Sequence, residues 1–144
     1  MMGETTMTDR SDVEAMAYDH AERYHAALAR AHGVRSVAHN RRWHAVLLLL
    51  TAREGLWDAY SDRIDYAKGR VELDEAPYLG IVERLLLDVA RSLLEGPRSV
   101  DIAACCTELD DRAFEVVVAA VRLMHGEKTA TLDLWDPFRM WSAS

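Results

Sequence analysis

The sequence predicts an all-α protein, with four main helices in a bundle followed by a short C-terminal segment of extended pattern. Three observations carry this. Apolar residues recur at helical spacing through four long stretches. Capping residues or proline stand at the starts of most of those stretches, and glycines close them. The composition, half apolar and 28% charged, is that of a globular chain with a core to bury.

Residues 1–11 read as a flexible N-terminal arm and 12–144 as a single helical domain. The first helix begins at Ser11 or Asp12, either of which can cap it, and runs to His32. Val13, Met16, Ala17, His20, Tyr24, Leu28 and Ala31 make its apolar face, and Gly33 ends it. The second helix is expected from Ser36 to about Tyr66. His39, Trp43, Val46, Leu50, Trp57, Tyr60 and Ile64 form its stripe, which Leu47, Leu48, Leu49 and Leu56 widen. Gly69 closes it, and Arg70–Asp74 is a connector that could be briefly extended.

The third helix starts near Pro77 and stops at Gly96-Pro97, because proline cannot continue the ladder. Val82, Leu85, Leu86, Val89, Leu93 and Leu94 line it. Residues 99–109 fit a short helix and an irregular turn equally well. The last helix runs from Asp110 or Asp111 to His125 before Gly126. Apolar nearly all round, it is expected to be the central helix of the bundle. Beyond it, residues 129–135 alternate as a strand does.

Charge is distributed unevenly. No acidic residue lies between Glu22 and Glu54, where Arg23, Arg30, Arg35, Arg41, Arg42 and Arg53 give +6 in a chain of net charge −7. Five of the six histidines fall between residues 20 and 44. The expectation is that acidic helices of the same domain neutralise these arginines. The alternative is a site for an anionic ligand or partner between the first two helices, built from Arg35, His39, Arg41, Arg42, His44 and Arg53. Arg53, on the apolar stripe, needs an internal acid such as Asp88 or Asp58. With so acidic a remainder, nucleic acid is an unfavourable partner.

Glu22 and His25 match the Glu-x-x-His spacing of di-iron bundles, but no second copy of that spacing accompanies them. No metal site and no cofactor is therefore expected, and the histidines read as core or surface residues. Adjacent Cys105 and Cys106 suit small core residues, since a bond between neighbours is badly strained. Without a disulfide framework the expected setting is a reducing, cytoplasmic one. The longest uncharged apolar run, Trp43–Ala52, is half the length needed to span a bilayer, which takes about 20 residues. Arginine outnumbers lysine 15 to 2 and alanine occurs 21 times, a usage that follows from GC-rich bacterial codons.

No Gly-rich phosphate loop, His-Glu-x-x-His or Gly-x-Ser-x-Gly motif is present, so no catalytic residue is assigned. The expected function is that of a small interaction or accessory protein. An anion-binding protein or small enzyme is the first alternative, and an acidic inhibitor or immunity-type protein the second. Trp135, Phe138, Met140 and Trp141 crowd the C-terminal residues. They are expected either to fold back onto the bundle or to form an interface, most simply in a homodimer.

Overall fold

The computed structural model describes residues 10–31, 40–96 and 99–126. Among them the fold is all-α, with one very small sheet. Four longer helices, α1 (Arg10–Ala31), α2 (Arg41–Leu50), α4 (Ile81–Glu95) and α6 (Asp111–His125), carry most of the chain. Two seven-residue helices, α3 (Glu54–Tyr60) and α5 (Ile102–Glu108), join them. The boundaries expected from Gly33, and the extended stretch at 129–135, lie outside the described residues.

Helix α2 is the centre of the fold. Asn40 starts it by accepting hydrogen bonds from the Arg42 and Trp43 amides, at 2.9 and 3.4 Å. Trp43 and all six residues from Ala45 to Leu50 are buried, because α1, α4 and α6 pack around it. The expectation that the last helix is central was wrong. Helix α6 buries Ala113, Val116, Ala119 and Ala120 against α2 and leaves Phe114 and Val121 in water.

The single helix expected from Ser36 to about Tyr66 is broken at Thr51–Arg53. Thr51 Oγ1 donates back to the carbonyls of Leu47 (2.6 Å) and Leu48 (3.3 Å). The Ala52 amide then turns to Leu49 O at 3.2 Å, tightening the last turn and leaving Leu48 O without its usual helical partner. Arg53 is extended and α3 begins at Glu54. After α3, a single 3₁₀ turn, Ser61–Arg63, leads into β1 (Ile64–Asp65). This pairs antiparallel with β2 (Arg70–Val71), Ile64 facing Val71 and Asp65 facing Arg70. The turn between them uses Gly69 at φ 63° and the Asp65 carboxylate, which accepts from the Lys68 amide at 3.1 Å.

Helix α4 starts at Ile81, four residues after Pro77. The Glu83 carboxylate, accepting from the Gly80 amide at 3.0 Å, defines that start more strongly than proline does. Residues 102–108 settle as the helix α5, capped by Asp101 at 2.9 Å from the Ala104 amide. Asp110 caps α6 in the same way, at 2.8 Å from the Ala113 amide. Gly126 ends α6 in the left-handed region (φ 97°, ψ 19°), where its amide closes on the carbonyls of Arg122 and Leu123.

Most of the core is one cluster drawn from all six helices. A smaller one sets Ala27 and Ala31 of α1 against Trp43, Leu47, Ile64 and Tyr66. Among the described residues, no helix is long and apolar enough to cross a membrane.

Candidate functional site

Among the described residues of the expected basic site, Arg41 and Arg42 stand together and Arg53 stands apart. Arg41 and Arg42 stand at the start of α2 and Arg53 follows its end, so helix rise alone separates them by roughly 15 Å. Arg35 and His39 lie outside the described residues, as do Trp135, Phe138, Met140 and Trp141. Arg41 reaches across to the end of α6, where its guanidinium occupies the space that a side chain at Gly126 would need. A guanidinium there is held by the negative end of the α6 dipole. Together Asn40, Arg41, Arg42 and Met124 line an open cavity of about 330 Å³. His44 is half-buried in the next turn.

Arg53 forms an internal ion pair, with Asp110 and not with Asp58 or Asp88. The break at Thr51 swings Arg53 off the stripe that a continuous helix would have placed it on. Asp110 thereby serves two elements at once. Oδ1 caps α6 while Oδ2 takes Arg53, tying the α2–α3 break to the first turn of α6.

The polar centre of the molecule lies beside this pair, around His20. The side chain is fully buried on α1. Its Nε2 is 3.0 Å from Leu48 O, the carbonyl freed at the break, and its Nδ1 is 3.2 Å from Arg112 Nη2. A carbonyl only accepts and a guanidinium only donates. Nε2 therefore carries the proton and Nδ1 the lone pair, so the imidazole is neutral. Burial, reinforced by the charge of Arg112, pulls its pKa down from 6.5 to about 3. Three residues along α1, Arg23 Nε donates to Thr51 O at 2.8 Å, satisfying a second carbonyl of the broken turn. Burial draws the Arg23 pKa down, and Asp19, Glu54 and Asp58 offset part of that. Tyr24 is pushed up to about 12 by burial and meets the His20 ring edge-on at 6.5 Å.

The sequence places His20 on an apolar face and Asp110 at a helix start, but it points neither to the partners of His20, Arg112 among them, nor to the break at Thr51. No local signal names Arg112, which lies 92 residues away. The serviceable signal was Thr51 at the end of a leucine run, since a threonine hydroxyl competes for helix carbonyls.

Glu22 and His25, the two residues with di-iron spacing, are both exposed. Among the described residues no group of three or more His, Cys, Asp or Glu side chains is placed to hold a metal ion. Cys105 is buried and Cys106 exposed, both as free thiols, and burial raises the Cys105 pKa.

Chemically, the His20 centre is a structural polar junction inside a small all-α protein: a neutral imidazole that accepts from Arg112, with Arg23 donating to a backbone carbonyl and Arg53 to a carboxylate. No family model matches the chain, and no curated protein or solved structure matches it either.

Proposed function

We propose that this chain is a small helical interaction protein of the bacterial cytoplasm. Its partner is a protein bound through the turn that leads into α4. The carrying observation is a fixed turn with its large apolar side chains outward. Tyr78 is 70% exposed and Ile81 is 55% exposed, while Ala76 and Leu79 between and beside them are buried. Arg84 holds the turn by donating to Leu79 O at 3.1 Å and to Pro77 O at 3.4 Å, and it pairs with Glu75 at 3.6 Å. Tyr60 anchors the segment from the other side through Asp74 O. A pre-ordered aromatic and an aliphatic side chain in water supply interface area at low entropic cost.

The cavity lined by Asn40, Arg41, Arg42 and Met124 favours a second reading, an anionic small ligand held at the start of α2. Native mass spectrometry of the full chain, isolated gently from its own host, separates the two. A protein complex that disappears in Ile81→Asp, while the melting temperature holds, supports the interaction reading. A small anionic adduct that disappears in Arg42→Glu overturns it in favour of the second.

A further inference from the structure

Helix α6 has two apolar faces, and the fold uses one. Ala113, Val116, Ala119 and Ala120 are buried against α2. On the opposite side Phe114, Val118 and Val121 follow the i, i+4, i+7 spacing of a second packing stripe, while Val117 at its edge packs against the core. Phe114 is 37% exposed and Val121 49%, with Val118 half-buried between them. Surface helices carry polar residues on the outer face, so three apolar ones at packing spacing mark a face built to be covered.

We propose that the cover is the C-terminal segment of the same chain: residues 127–144 dock back along the outer face of α6, seating Trp135, Phe138, Met140 and Trp141 on this stripe. Gly126 starts the return, its positive φ turning the chain out of the helix at the end of the stripe. The reach is ample. Phe114 lies about 18 Å back along the helix from Gly126. The nine residues from 127 to Trp135 span up to about 30 Å when extended. The segment's chemistry matches, with two tryptophans, a phenylalanine and a methionine within seven residues. A second copy is a poorer occupant. Three partly covered side chains fall well short of the roughly 800 Å² that each partner buries in a stable dimer. A segment of the same chain also arrives at high effective concentration. This docking is independent of the interaction surface around Tyr78.

The test places the photoreactive amino acid p-benzoylphenylalanine at position 114 of the full chain. Equal parts of ¹⁴N- and ¹⁵N-labelled protein are mixed and irradiated, and the cross-linked peptides are mapped by mass. The expected product joins position 114 to a peptide within 127–144 of the same isotope. Its yield falls several-fold in Val121→Lys, which puts a charge in the stripe without touching the buried face. Cross-links of mixed isotope overturn the proposal in favour of a second copy. Cross-links confined to other peptides, or none to 127–144, overturn it outright.

Discussion

Helices α2 and α6 read almost alike as sequences and are treated oppositely by the fold. Both are apolar nearly all round, both have a side-chain cap, and they pack directly against each other. Yet α2 has seven of its ten residues buried and α6 four of fifteen. The difference lies in neighbours. Helix α2 is surrounded by α1, α4 and α6, whereas α6 packs chiefly on α2, touches α4 to a lesser extent and faces outward on its other side. An apolar periphery tells how much surface a helix could bury. How many elements surround it is a property of the whole chain.

The sharpest way to break that comparison is to remove the same kind of group from each helix. Leu49→Ala in α2, where the side chain is fully buried, should cost about 2–5 kcal/mol. Val121→Ala in α6, half exposed, should cost about 1 kcal/mol or less. Urea unfolding of the two variants at one pH measures both. Equal losses would mean that α6 is as enclosed as α2.

Acid tests the junction that makes α2 central. His20 has a pKa of about 3 in the folded protein against 6.5 when free. The unfolded chain therefore takes up a proton below pH 6.5 that the folded chain refuses until near pH 3. The stability owed to this site is complete above 6.5 and is lost as pH falls through that window, at up to about 1.4 kcal/mol per pH unit. His20→Gln keeps a donor for Leu48 O and removes the titration. Its unfolding free energy should fall less steeply with acid than that of the natural chain, and parallel slopes would refute a neutral buried imidazole.

The smallest effect concerns the link from the α2–α3 break to α6. Asp110→Ala removes the cap and the Arg53 pair together and should cost about 1–2 kcal/mol. Asp110→Asn keeps the capping oxygen and loses only the charge. It should cost under about 1 kcal/mol, since Asp110 is half-exposed and the pair is screened. If the two substitutions were equally damaging, the ion pair and not the cap would hold this corner.

Local chemistry was legible where it was complete within a few residues. Asp110 before an apolar stretch, Gly126 after it, and Gly96 at the end of α4 all mark real boundaries, because a cap bonds to amides two or three positions away. Pro77 misled, since its fixed φ suits a turn as well as a first helical turn, and Glu83 drew the start to Ile81. The basic segment was legible as a charge anomaly but not as a site. Arg53 proved to be paired, and Arg41 reaches the end of α6. Neither destination is encoded near those residues.

The sequence by itself determined the fold class, both ends of α6 and the C-terminal end of α4, because periodicity and capping act over one or two turns. Only the tertiary structure decided that the leucine-rich helix stops at Leu50. Thr51 loosens the ladder locally. Leu48 and Thr51 leave it buried with donors from another helix, His20 reaching Leu48 O beside the Thr51 hydroxyl and Arg23 reaching Thr51 O. A buried carbonyl without a donor costs about 1–3 kcal/mol, so where a helix can break inside a core depends on what stands opposite it, here 28 residues away in the chain.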